Sequence, residues 1–109
     1  MNLTQKKCRP CEGGIPKLNV DEAKKLLQEV PSWELAADKL RKSFKYKNFR
    51  EAMKFVNCMA EIAEGEGHHP DFTVHYNRVD VEIWTHAIDG LSENDFILAA
   101  KLDQISTNP

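Results

Sequence analysis

Two periods govern the spacing of apolar residues along this chain, three-to-four in three stretches and two in four others. The first helical stretch begins at Asn19, which can cap a helix while Glu22, three residues on, reaches back to the cap. Ala23, Leu26, Leu27 and Val30 form its apolar stripe, and Pro31 ends it. Trp33-Glu34-Leu35 reads as a short strand, followed by a turn at Ala37-Asp38 and a strand from Lys39 to Tyr46. Leu40, Phe44 and Tyr46 share one face of that strand, interrupted by Lys42. Asn48 and Glu51 repeat the capping pattern before a long helix whose predicted stripe is Phe49, Ala52, Met53, Val56, Met59, Ala60 and Ala63. Phe55 and Ile62 fall off that stripe and are assigned to a side pocket or a partner subunit.

Gly65 and Gly67 offer the left-handed backbone that closes a helix. Phe72, Val74 and Tyr76 alternate on a third strand, Asn77-Arg78 is the predicted turn, and Val79 to His86 makes a fourth strand. Val79, Val81 and Ile83 point to the core, with Asp80, Glu82, Trp84 and His86 on the opposite face. Ser92 caps a last helix, Asp95 returns the bond, and Leu91 staples onto Phe96. Leu98, Leu102 and Ile105 give this helix its apolar side. The order α-β-β-α-β-β-α with short strand connections predicts an α+β fold, a four-stranded antiparallel sheet with three helices packed on one face. The boundaries are a flexible N-terminal arm over 1–17, a single domain over 18–106 and a frayed tail over 107–109.

Composition narrows the function classes. The chain has 109 residues, 41% hydrophobic, enough for one core, and a domain this small makes oligomerisation a reasonable expectation. A net charge of -2 argues against a general nucleic-acid binder. The basic run Lys39, Arg41, Lys42, Lys45, Lys47 and Arg50 reads instead as a solvated strand face with edge protection. Neither a bilayer-spanning stretch nor the apolar core of a signal peptide occurs, so a cytoplasmic location is expected. Three cysteines, Cys8, Cys11 and Cys58, make a disulfide framework improbable. Cys8-Arg9-Pro10-Cys11 has the spacing of half a zinc knuckle or a redox pair, but no second Cys pair accompanies it.

Candidate chemistry gathers between Glu64 and His86, where all four histidines lie. Imidazole, with an ordinary pKa of about 6.5, exchanges protons near neutrality. Pro70 pushes His69 toward extended backbone, so His68 and His69 point to opposite sides and do different jobs. His75 reads as a surface-strand histidine, and Asp95 already has a structural explanation as a capping carboxylate.

The pattern Glu64-x-x-x-His68-His69-Pro70, Tyr76-Asn77, His86 and Asp95, with Phe44-x-Tyr46-x-Asn48-Phe49 before it, resembles the pterin-4a-carbinolamine dehydratases over roughly Asn19 to Ile105. The resemblance implies a small α+β enzyme that dehydrates 4a-hydroxytetrahydropterin to quinonoid dihydropterin, recycling the cofactor of aromatic amino acid hydroxylases. It carries the catalytic histidines to His68, His69 and His86 and gives Glu64, Pro70 and Asp95 supporting places. Trp33 looks like an aromatic that helps line the pterin pocket. This chain departs from the family at Asp71-Phe72 after His-His-Pro and at Trp84-Thr85 before His86. Some relatives also serve as dimerisation partners of a homeodomain transcription factor, a role that nothing in these residues implies.

The chemistry suits the residues. Expelling hydroxide from a carbinolamine needs a proton donor for the leaving group and an acceptor for the nitrogen proton, and each well-placed group contributes about 10²- to 10⁴-fold. No metal or coenzyme is required. His68 and His86 are assigned the proton exchange and His69 substrate positioning, with Glu64 or Asp95 fixing a tautomer. The expected partners are a pterin substrate and a second or fourth copy of the chain, as homodimer or homotetramer, with a functional link to an aromatic amino acid hydroxylase. Two alternatives stand beside this reading. One is a zinc site of Glu64, His68 and His86, which lacks the helical spacing that lets ligands converge. The other is a protein-binding or dimerisation module, coactivator-like, with incidental histidines.

Overall fold

The structure, a computed structural model, describes residues 3–8 and 16–106. Helix α1 spans Val20–Leu27, and its start is the predicted capping box: Asn19 Oδ1 accepts from the Glu22 N–H at 2.8 Å while Glu22 Oε1 accepts from the Asn19 N–H at 2.9 Å. Strands β1 (Glu34–Ala36) and β2 (Lys39–Lys45) form a hairpin whose turn places Ala37 at φ 56°. Helix α2 (Phe49–Glu66) starts with the Glu51 N–H bound to Asn48 Oδ1 at 3.0 Å and ends at Gly67, φ 65°. Gly67 alone makes that left-handed turn, and Gly65 stays helical. Strands β3 (Asp71–His75) and β4 (Arg78–Ile83) form the second hairpin, and α3 (Glu93–Ser106) closes the chain.

The four strands are antiparallel in the order β1-β2-β4-β3, so β2 and β4 are central. Register pairs Leu40 with Ile83, Lys42 with Val81 and Phe44 with Val79, putting these side chains on the face that the helices cover. Leu40, Val79, Val81 and Ile83 are buried there against Phe96, Leu98 and Leu102 of α3. Lys42, which breaks the apolar alternation, is neutralised in place. Its Nζ lies 2.6 Å from Asp103 Oδ1 on α3 and 4.6 Å from the Phe44 ring centroid.

Three local expectations change. The buried face of α2 runs through Ala52, Phe55, Val56, Met59 and Ala63, whereas Phe49 and Ala60 are exposed. Phe55 is a core residue, its ring 4.5 Å from that of Phe44 and 5.4 Å from that of Tyr46, and packing against these rings selects the stripe 52, 55, 56, 59 and 63 over the equally periodic one started at Phe49. The second hairpin turns at Tyr76-Asn77, one residue early: Tyr76 takes φ 54°, and the Asn77 amide donates to the Tyr46 carbonyl at 3.0 Å. Finally, β4 stops at Ile83, so His86 lies beyond the sheet.

The segment expected as a flexible arm is packed where it is described. Leu3–Gln5 make a single 3-10 turn with Leu3 buried, and Cys8 is buried with its N–H donating to Glu66 Oε1 at 2.8 Å. Cys11, the other half of the Cys-x-x-Cys pattern, and the predicted frayed tail lie outside the described residues.

Candidate active site

The site grows from two chain reversals. Gly67 ends α2 and aims the chain sideways, so that the next residues, His68-His69-Pro70, run without helical structure into β3. Beyond β4, backbone bonds Thr85 N–H to Gly90 O at 2.8 Å and Gly90 N–H to Thr85 O at 3.4 Å close a short loop around the 3-10 turn His86–Ile88. That loop leads directly into Ser92 and the first turn of α3, where Asp95 sits.

His68 and His69 do point to opposite sides: His68 is 5% exposed and His69, on its side chain, 60%. His68 Nε2 lies 2.6 Å from Oδ1 of the fully buried Asp95. The second carboxylate oxygen of Asp95 accepts from the Thr85 hydroxyl at 2.9 Å and from the Ser92 N–H at 2.8 Å. Asp95 therefore returns the capping bond as predicted, but the Ser92 hydroxyl is used elsewhere, 2.8 Å from Thr85 Oγ1. With Thr85 donating to Asp95, the Ser92 hydroxyl must donate to Thr85, and both of these buried hydroxyls are satisfied. A carboxylate that meets three donors leaves His68 Nε2 as the protonated nitrogen. Its place in the first turn of α3 also sets its charge against the positive end of the helix dipole.

The other two imidazoles face outward. His69 Nε2 pairs with Glu64 Oε2 on the last turn of α2 at 2.5 Å. The His86 side chain is 63% exposed, with Nε2 4.0 Å from Asp71 Oδ2 and the ring stacked on Trp84, centroids 4.2 Å apart and planes at 26°. Lys39 Nζ stands 4.1 Å from the centroid of the same indole. His69 and Asp71 are two residues apart across Pro70, a spacing that puts both on one side of an extended segment. Asp71 thus connects the His69 side of the loop to His86.

On the open sheet face, a hollow of about 550 Å³ is lined by Arg41, Ser43, Asp71, Thr73, Asp80 and Glu82, among others. No histidine lines it, and it meets the group only through Asp71. The Asp80 carboxyl inside it is held below its ordinary value, first by the Ser43 hydroxyl at 2.7 Å and further by Arg78 at 3.1 Å.

Two assigned roles do not match these positions. Trp33 is 3% exposed and belongs to the core, its Nε1–H bonded to Asp103 Oδ1 at 3.0 Å. Asp103 stands eight residues beyond Asp95 on α3, a rise of about 12 Å, so the structure does not bring Trp33 to the histidines. His68, assigned proton exchange with substrate, is turned inward onto Asp95, whereas His69, assigned positioning, is accessible. The groups of the zinc alternative are dispersed: Glu64 meets His69, His68 meets Asp95, and His86 stands by Asp71. Among the described residues no group of three or more His, Cys, Asp or Glu is placed to hold a metal ion. His75 lies on the exposed face of β3, 3.6 Å from Asp80. Asp71 and Thr85 were missed as contributors. Asp71 had a signal in its position two residues after His69; Thr85 had none, because its role depends on the loop closing back on α3.

The sequence profile of the family described as pterin 4 alpha carbinolamine dehydratase matches residues 16–105. The chain belongs to this family. A protein of Methylococcus capsulatus, provisionally named a pterin-4-alpha-carbinolamine dehydratase, is 51% identical over 107 residues, covering 96% of this chain and 94% of its own. One of Nitrosomonas europaea with the same provisional name is 50% identical over 105 residues, covering 95% and 93%. The crystal structure of a transcriptional coactivator/pterin dehydratase from Brucella melitensis superposes with a TM-score of 0.80 at 33% identity, covering 84% of this chain and 99% of that one. The family's α+β architecture is the one described above, and no described helix is long and apolar enough to cross a membrane.

Proposed function

We propose that the protein dehydrates 4a-hydroxytetrahydropterin to quinonoid dihydropterin by histidine acid-base catalysis. In this reaction the C4a–O bond breaks as its oxygen takes a proton and leaves as water. The N5 lone pair closes a C4a=N5 double bond, and the N5 proton passes to a base. Family membership supports the reaction class, and one observation supports the division of labour. Two accessible imidazoles, His69 and His86, each stand near a carboxylate, while the third, His68, is locked to Asp95 inside the fold. His69 and His86 are accordingly the groups that exchange protons with the hydroxyl and N5. His68 and Asp95 hold the loop between α2 and β3 against the loop that carries His86, and Glu64 orients His69.

Tetrahydropterin recycling beside an aromatic amino acid hydroxylase, in the cytoplasm, is the setting this reaction class fits. Assembly as homodimer or homotetramer is supported by the exposed aromatic side chains Phe49, Phe72 and Tyr76. The binding-module alternative gains nothing from Phe55, which is interior.

The test is a direct assay of 4a-carbinolamine dehydration. His69→Ala and His86→Ala should each slow the catalysed reaction by about 10²- to 10⁴-fold. A wild-type protein that does not accelerate dehydration, or two variants that match wild type, would overturn the reading.

A further inference from the structure

We propose that residues 3–8 form a positioning strap for the His68–Asp95 pair, fixing the gap between the end of α2 and the start of α3 across which that hydrogen bond is made. The segment touches both banks of the gap. On the α3 side, Lys6 Nζ lies 2.9 Å from Glu93 Oε2 and Cys8 Sγ lies 3.6 Å from the Asn94 carbonyl oxygen, so its contacts fall on the two residues before Asp95. On the α2 side, the Cys8 N–H donates to Glu66 Oε1 at 2.8 Å and Lys7 Nζ lies 3.3 Å from the Gly65 carbonyl, two and three residues before His68. Leu3, almost wholly buried, anchors the strap's far end.

Glu66 is the knot. Its second oxygen lies 2.6 Å from Lys101 Nζ, two turns along α3 from Asp95, so a single carboxylate ties strap, α2 and α3 together. Burial pushes this carboxyl up, but Lys101 and the Cys8 N–H outweigh it and hold the group below its ordinary value, as a committed ion-pair partner. The family profile begins at residue 16, so the strap precedes the segment that the profile matches. Gly67 turns the chain off the end of α2 in a left-handed conformation, and His68 reaches Asp95 across a break between helices. A bond made across such a break lasts as long as the two ends stay in register, and the strap spans it with contacts on both sides.

For catalysis the inference rests on the proposed dehydratase reading, but its test does not need the activity. Two full-length variants release the strap without altering α2 or α3: Leu3→Asp, which places a charge at the buried anchor, and Lys6→Glu, which sets like charges against Glu93. Two signals are read in each, the alkylation rate of Cys8 by peptide mapping and the solvent exchange of the His68 Nε2 proton by NMR. Faster Cys8 alkylation accompanied by at least about tenfold faster exchange of the His68 proton is the expected result. Faster alkylation with unchanged exchange overturns the proposal, as does unchanged alkylation in both variants. If Leu3→Asp unfolds, Lys6→Glu decides, since its side chain is 41% exposed. Dehydratase activity is measured on the same samples. A protein inactive in every form, with exchange responding as expected, sinks the proposed function and leaves the strap standing.

Discussion

The His86 imidazole lies against the Trp84 indole, ring centroids 4.2 Å apart and planes at 26°, and Lys39 Nζ stands 4.1 Å from the centroid of the same indole. An exposed histidine whose carboxylate partner Asp71 is as far as 4.0 Å away takes its orientation from this stack. Aromatic pairs of this kind are worth about 0.5–1.5 kcal/mol. Trp84→Ala should therefore lower the dehydration rate by about 2- to 10-fold while barely moving the denaturation midpoint, and Trp84→Phe should recover most of the loss. Equal rates for wild type and Trp84→Ala in the carbinolamine assay would refute this.

Asp95→Asn replaces an acceptor of three hydrogen bonds with a group that carries its own N–H donors. Either His68 shifts its proton off Nε2 to accept from the new amide, or one of His68 Nε2, Thr85 Oγ1 and the Ser92 N–H loses its partner in the interior. The cost should be about 1–3 kcal/mol in urea denaturation, with a loss of activity exceeding that of Asp80→Asn on the open face. A variant as stable as wild type would show that the network is dispensable.

Acid should weaken the fold partly through Glu66. Its folded pKa lies below the ordinary 4.5, so the native state binds this proton less readily than the unfolded chain does. The stabilisation is complete above the unfolded value and is lost as pH falls from 4.5 through the lower folded one. Denaturation midpoints of Glu66→Gln followed over that range should fall less steeply than those of wild type. Parallel curves would remove Glu66 from the account.

Asp103 holds Trp33 and Lys42 at once, so the two ends of the Lys42–Asp103 pair should respond unequally. Asp103→Ala strands the Trp33 N–H and leaves Lys42 with only the Ser32 hydroxyl, 2.7 Å away, and should cost about 1–3 kcal/mol. Lys42→Met keeps the Trp33 bond and adds apolar contact beside Phe44, and it should cost less than about 1 kcal/mol. Thermal melts of the two variants decide the order.

Much of the architecture was legible because its signals are local. Asn19, Asn48 and Asp95 mark helix starts through a carboxyl or amide at a set distance from the cap, and alternation at Val79, Val81 and Ile83 marks a strand covered on one face. The errors come from competition between signals of equal rank. Phe49 and Phe55 each begin a helical stripe, and only packing against Phe44 chooses the second. The alternation after Ile83 continues through Trp84 and His86 although the strand has ended, because the Thr85–Gly90 bridge bends the chain away. The histidines stood out by type and the His68/His69 divergence by the following proline. Which of the pair turns inward depends on Asp95, 27 positions further on, and no local pattern reports that.

One carboxylate, Asp95, both starts the final helix and steadies an imidazole of the proposed site. Architecture and reactivity are consequently not separable modules in this molecule. An engineer who recodes that turn for thermal robustness will retune the chemistry with it, and one who swaps the imidazole will disturb how the helix begins.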